Sequence, residues 1–319
     1  MIILVDIYNS NIETGKLEKV TEIKKGCWIN LENPTEEEIQ RICKEVNIEQ
    51  DFIRYALDYE EKPRIDQEDE DNTILFIIDV PTGKSTENGF SYYTMPLGMI
   101  VVRDDIFITV SLYSTPVIER FKRGNLKNFL TFKKSRFILQ ILYENASYYL
   151  MYLKRLNKES QIAETVLKKS MRNKELLKLL NIQKSLVYFE TSLKANELVM
   201  EKTLRGKVIK MYEDDEDILE DAIIENRQAM EMSQIYTDIL KGSMDAYGSI
   251  ISNNLNSVMK FLTSITIFLA VPTMISGFWG MNVPVPFTDS TLGFWGIIGF
   301  SAILTLIVAI WLKKKDMVN

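Results

Sequence analysis

The chain ends in two apolar stretches, residues 261–278 and 292–312, that contain no Asp, Glu, Lys or Arg and flank the short segment 279–291. A hydrocarbon layer about 30 Å thick is crossed by roughly 20 helical residues, so each stretch is long enough to span a bilayer. The segment between them carries prolines and Asp289, as suits an aqueous turn. The pattern predicts a transmembrane hairpin rather than a hairpin buried in a soluble core. Everything before it must then fold as a water-facing body.

Charge sets the orientation of the hairpin. Lys260 precedes the first span and Lys313, Lys314 and Lys315 follow the second, while the connecting segment has neither Lys nor Arg. Positive flanks stay inside, so both termini are expected in the cytoplasm and the connecting loop outside a plasma or inner membrane. The first seven residues have no basic leader or small-residue cleavage pattern, and read as an opening strand rather than a signal peptide.

Composition narrows the function. With 319 residues and 26% of them charged, most of the chain is a soluble body large enough for a core. A net charge of −6 with mixed signs speaks against a nucleic-acid partner. Cys27 and Cys43 are too few for a disulfide scaffold. There is no histidine, so the commonest general base and the commonest zinc ligand are both missing. Enzyme readings lose most of their weight.

Residues 1–115 alternate short β-rich runs (2–7, 26–31, 73–80, 91–95, 97–102, 106–110) with helical stretches near 35–46 and 48–56, which predicts an α/β domain. Asn33-Pro34-Thr35 followed by Glu36, Glu37 and Glu38 marks a helix start. Residues 116–212 are rich in helix formers and predict two long helices, about 132–172 and 174–205, as an antiparallel hairpin, with Gly206 as a break. Thr82-Gly83-Lys84-Ser85-Thr86 imitates the end of a phosphate loop, but Ile78 stands where its first glycine belongs. It reads as a turn.

From Glu213 to the end of the first span the only proline is Pro272, so one helix is expected to run from a stalk at 213–260 straight into the membrane, reaching roughly 100 Å. Ile218, Ile223, Ile235, Ile239, Tyr247 and Ile251 recur near helical spacing and call for neighbouring helices. Steps of three and four pick out another stripe: Asp245, Ser249, Ser252, Asn256, Met259, Thr263, Thr266, Ala270, Thr273, Gly277 and Gly280. Small, hydroxyl-bearing stripes serve either close helix packing or a water-filled pore. Its continuation below the membrane to Asp245 favours a pore, with Met259 and the adjacent Leu262 as an apolar constriction. Two spans cannot enclose a channel, so several copies around an axis are required.

A terminal hairpin, Gly280-Met281-Asn282 directly after the first span, a short external loop and a Lys-rich tail together resemble the CorA family of magnesium channels. Trp28-Ile29-Asn30-Leu31, Asn33-Pro34-Thr35 and the run Leu57 to Ile65 are similar to its cytoplasmic domain, and Trp279 stands where many relatives carry Tyr. The resemblance implies an α+β/α membrane protein: a cytoplasmic α/β domain, a long helical hairpin, a stalk helix continuing into the first span, and an outer second span. It also implies a funnel-shaped homopentamer in membrane lipid.

The activity so implied is passive uptake of Mg2+, with Co2+ and Ni2+ as further candidates, driven by the membrane potential. Mg2+ sheds water reluctantly, so Asn282 carboxamides and Gly280 carbonyls would accept hydrogen bonds from a hydrated ion, while Met281 packs. The triplet would be the selectivity filter, and Lys313, Lys314 and Lys315 a basic ring. Mg2+ would also be a regulatory ligand: Asp221 matches a family position whose carboxylate binds Mg2+ between subunits, and Asp245 a pore-facing one. The first long helix has Asn157, Lys158 and Glu159 where relatives can carry acids. No organic cofactor is expected. The alternatives are a zinc transporter of the same superfamily and a membrane-anchored scaffold.

Overall fold

The computed structural model describes residues 5–68, 72–86, 89–124, 126, 128–169, 173–206, 208–281, 283 and 291–315. The chain divides into two compact units, Met1–Lys241 and Gly242–Asn319.

The first unit is built on a seven-stranded sheet of order β2-β1-β3-β7-β6-β5-β4. Its strands are β1 (Val5–Ser10), β2 (Leu17–Val20), β3 (Trp28–Glu32), β4 (Arg64–Glu68), β5 (Thr73–Thr86), β6 (Gly89–Val102) and β7 (Ile106–Ser111). Only β3 and β7 run parallel; the other neighbours are antiparallel. Alternation along β5 sends Phe76, Ile78 and Val80 to one core and Leu75 and Ile77 to another, so the sheet is covered on both faces.

One cover is made by α1 (Glu36–Val46) and α2 (Asp51–Tyr55). Helix α1 starts where the sequence predicts, because the Thr35 hydroxyl accepts from Glu38 N–H while the Glu38 carboxylate accepts from Thr35 N–H at 2.8 Å. Helix α2 lies so close that a Cβ on Gly98 would sit 2.5 Å from Ala56 Cβ. The other cover joins α3 (Pro116–Lys122), α4 (Lys134–Lys169) and α5 (Asn173–Gly206) around Trp28, Phe107, Phe121, Phe129 and Phe137. The indole N–H of Trp28 donates to Thr109 Oγ1 at 2.8 Å, which satisfies the one polar atom of that aromatic cluster.

Helix α6 (Glu213–Trp279) begins in this unit. Leu219, Ala222 and Ile223 enter the core beside Val199 and Met200. Asn226 Nδ2 donates to Leu193 O and Ser233 Oγ to Leu186 O, both at 3.0 Å, and Arg227 reaches Glu197 and Glu201. Of the apolar positions predicted to need neighbours, Ile223 and Tyr247 are buried, whereas Ile235, Ile239 and Ile251 stand exposed.

Three differences from the sequence reading have physical causes. Residues 82–86 are not a turn: they extend β5, held in register against Gly89–Tyr93 of β6. Residues 91–95 and 97–102 are one strand, because Pro96, which has no N–H, stands opposite Asp79, whose own N–H and C=O bond to Asn196 instead of β6. Strands β2 and β4 and helix α3 escaped notice, being short and polar or half-buried. The predicted strand start at residues 2–4 and the hairpin tip at 170–172 lie outside the described residues.

Strand β4 stops at the Arg64–Ile77 pair, leaving the outer half of β5 as an edge. There Asn196 of α5 replaces a strand: its Oδ1 accepts from Asp79 N–H and its Nδ2 donates to Asp79 O, each at 2.8 Å. Asn145 and Tyr149 of α4 donate to the same carbonyl at 2.9 and 3.2 Å. Asn196→Ala removes both of its bonds and leaves the part-buried Asp79 N–H without its acceptor, so we expect a loss of roughly 2–4 kcal/mol in the stability of the first unit, read as a lower midpoint in thermal unfolding of the full chain.

Candidate functional site

The second unit contains the rest of α6 and α7 (Thr291–Lys314). Both helices are long and apolar enough to cross a membrane, and their apolar windows are scarcely buried in the chain, unlike the core helix of a soluble protein. Helix α7 ends at the predicted basic residues: Lys313, Lys314 and Lys315 are exposed, next to the last carbonyls of the helix.

Helix α6 presents different faces. Ser264 is buried, and Phe268, Pro272 and Ser276 line a groove shared with Ile298, Ser301 and Thr305 of α7. That face holds the partner helix. Thr263, Thr266, Ala270, Thr273 and Gly277 lie on the rest of the cylinder and are all exposed. The predicted stripe is therefore not used to pack α6 against its own α7, which removes the simplest packing account of its small residues. Below it, Asp245, Ser249, Ser252 and Asn256 are exposed as well, as are Met259 and Leu262 at 52% and 55%.

Three of the hydroxyls on this stripe have a fixed polarity. Ser249 Oγ donates to Asp245 O at 3.1 Å, Thr266 Oγ1 to Leu262 O at 2.9 Å and Thr273 Oγ1 to Leu269 O at 2.8 Å. Each hydroxyl proton is thus committed to the helix backbone, and the free lone pairs face outward. A face of acceptors suits cations and the hydrogens of their water shells. This feature follows from Ser and Thr one turn after a carbonyl inside a helix, and the sequence pattern alone did not single it out.

At the end of α6 the Gly280 N–H still bonds to Ser276 O at 3.0 Å, and a Cβ on Gly280 would approach that oxygen to 3.3 Å. Met281 follows half exposed at 52%, rather than packed within its own chain. Asn282 lies outside the described residues, as does 284–290 of the connecting segment.

The acids at the start of α6 divide into two sets. Asp215 is buried, accepts from Arg136 Nε of α4 at 2.7 Å, and accepts from Tyr212 N–H at 3.2 Å, so it caps α6 and ties it to α4. Asp217, Glu220 and Asp221 are exposed. Among the described residues no three His, Cys, Asp or Glu side chains gather into a metal cluster, so Asp221 has no ready-made ligand set within one chain. One acid was overlooked in the sequence: Asp79, a single carboxylate in the apolar run of β5. The signal was there, since a charge inside such a run needs a reason.

Three comparisons bear on identity. A family model described as CorA-like Mg2+ transporter protein matches residues 24–314. The cobalt/magnesium transport protein CorA of Methanocaldococcus jannaschii is 28% identical over 321 residues, 97% of each chain, and its Thermotoga maritima counterpart 23% over 340 residues, 98% of this chain and 91% of the relative. The complete structure of the CorA magnesium transporter from M. jannaschii matches with a TM-score of 0.83 at 25% identity, over 100% of both chains.

The geometry of the stripe predicts a labelling pattern. Cys27 and Cys43 are buried and their thiols are pushed up by desolvation, Cys43 to about 11, so both stay protonated and inert. In the membrane-embedded protein, Ala270→Cys and Thr273→Cys should react with a water-soluble methanethiosulfonate and Ser264→Cys should not. Equal inertness at all three positions would mean that the stripe meets lipid or protein instead of water.

Proposed function

Since the chain belongs to the CorA-like Mg2+ transporter family, we propose that it is a passive channel carrying Mg2+, and also Co2+, down the membrane potential. The observation that carries this reading is the outward acceptor face of α6, which continues from Asp245 through Thr273 to the Gly280-Met281 end of the helix. The two curated relatives named above are cobalt/magnesium transport proteins, and the chain matches nearly their whole length.

In this reading several copies, five by family resemblance, bring their α6 stripes around one axis, with α7 outside. The exposed Ile235, Ile239 and Ile251 are surfaces that such an assembly would cover. A hydrated ion is captured by acceptors of Gly280 and Asn282. The ion then passes the hydroxyl face and meets the side chains of Met259 and Leu262, which close the path by excluding water. With the lysines at 260 and 313–315 inside, the loop faces outward and an inside-negative potential favours entry by about 4.6 kcal/mol per 100 mV for a divalent ion. Inside, Mg2+ at Asp221 bridging to another subunit would offset repulsion among the acids and favour the closed state.

The direct test is Mg2+ uptake into liposomes holding the purified full-length protein and a trapped indicator, with an imposed inside-negative potential. Uptake should be blocked by cobalt hexammine, a mimic of hydrated Mg2+, and abolished by Asn282→Ala. Zn2+ uptake without Mg2+ uptake would contradict the reading, as would flux indifferent to Asn282.

Regulation is tested separately. Asp221→Lys should weaken the inhibition of current by internal Mg2+ by tenfold or more in concentration, in patch recordings. An unchanged dependence would remove Asp221 from the gate.

A further inference from the structure

We infer that Asp79 forms an additional cation site in the first unit, taking a hydrated divalent cation such as Mg2+ through one carboxylate and adjoining hydroxyls, independent of the acids on α6. The inference starts from a pattern of counter-charges. Glu144 and Asp215, the most buried carboxylates among the described residues, each face an arginine: Arg120 Nη1 at 2.6 Å and Arg136 Nε at 2.7 Å. The half-buried Glu32 has Lys122, and Glu197 has Arg227. Asp79 breaks the pattern. Its Oδ2 accepts from Ser192 Oγ at 2.6 Å, Thr94 Oγ1 lies 2.9 Å from that same serine oxygen, and among the described residues no lysine or arginine pairs with it.

The surroundings are neutral on every side. From α4 come Asn145 and Tyr149, from α5 Ser192 and Asn196, from β6 Thr94. Their donors are largely spent on the Asp79 backbone, not on its carboxylate. A carboxylate placed among neutral groups, with a single hydroxyl donor, is better compensated by a counter-ion drawn from solvent, a proton or a metal cation.

Two features favour the metal. The residue is only partly buried, so water and hydrated ions have access to it. The available groups are oxygens, which suit hard cations, and Mg2+ usually keeps several waters while binding through one or two carboxylates. Hydroxyls such as those of Ser192 and Thr94 can then accept from its water shell. The phenol of Tyr59, whose ring lies 6.4 Å from that of Tyr93, borders the same locality: burial raises its pKa, with Tyr93, Tyr188 and Asp79 adding to the shift.

The proton alternative has a definite signature. Burial raises the Asp79 pKa against the opposing Ser192 hydrogen bond. A carboxyl raised in this way lends stability below its unfolded pKa and loses it as pH rises through the folded value. The titratable groups facing it are Tyr149 and Tyr59, both raised by burial and both neutral at physiological pH.

The experiment is thermal unfolding of the full-length protein in detergent, titrated with MgCl2 at constant ionic strength. Asp221→Asn is the background, so that the proposed regulatory carboxylate does not contribute. With Asp79 intact, the midpoint should rise with the logarithm of the Mg2+ concentration above the half-saturating value, reaching about a hundredfold shift in the folding equilibrium at about a hundred times that value. In Asp79→Asn that component should vanish, while the metal-free midpoint holds or rises. An undiminished Mg2+ response in Asp79→Asn overturns the site. So does a metal-free protein with Asp79 that loses stability relative to Asp79→Asn as pH rises and is not restored by Mg2+, because the counter-ion is then a proton. Should Asp79→Asn fail to fold, Thr94→Val replaces it. The half-saturating Mg2+ should then rise about tenfold, and no shift refutes the proposal.

Discussion

The arrangement of the first unit depends on a strand edge that no strand completes. Strand β5 outruns β4, and an open edge of unpaired peptide groups is both unstable and prone to pairing with other chains. The amide of Asn196 supplies a donor and an acceptor spaced like those of a neighbouring strand, and Asn145 and Tyr149 add donors from α4. The backbone of this one residue thereby ties both long helices to the sheet. Helix α5 in turn offers the carbonyls of Leu186 and Leu193 to α6, so the placement of the first part of α6 rests on that contact.

Helix α6 then serves two kinds of neighbour with different faces. In the first unit most of its buried side chains are apolar, while the buried Asp215 meets Arg136 of α4 and the buried Asn226 and Ser233 make specific bonds to α5. In the second unit its contact face is Ser264, Phe268, Pro272 and Ser276, and the small hydroxyl stripe is left over. Hydroxyls that return their protons to the backbone cost little in an apolar helix, since no donor is left unsatisfied. They nonetheless present oxygens outward. A helix can thus remain insertable in a bilayer while keeping one face fit for a cation, which is the physical basis of the proposed pathway.

The acids show how differently one residue type is used. Asp215 is spent on a cap and an arginine, Asp221 is left free at the surface, and Asp79 is lodged among neutral groups. Local sequence gave no means to separate the first two. Asp215 and Asp221 belong to one acidic run, and only the proximity of Arg136, 79 positions away, distinguishes them.

The legible parts of this protein were those governed by local rules. Helix periodicity and length gave α4, α5, α6 and α7 to within a few residues, the Thr35–Glu38 capping pair gave the start of α1, and uncharged runs gave two helices able to span a membrane. These follow from spacing along the chain alone. The extension of β5 through the Gly83-Lys84 segment was misread because strand pairing with β6, not local propensity, holds it. The side-chain clamp on Asp79 and the division of α6 into packing and acceptor faces were decided only in three dimensions. The clamp and the packing face depend on partners tens of residues distant, and burial, not composition, determines which polar groups must find them.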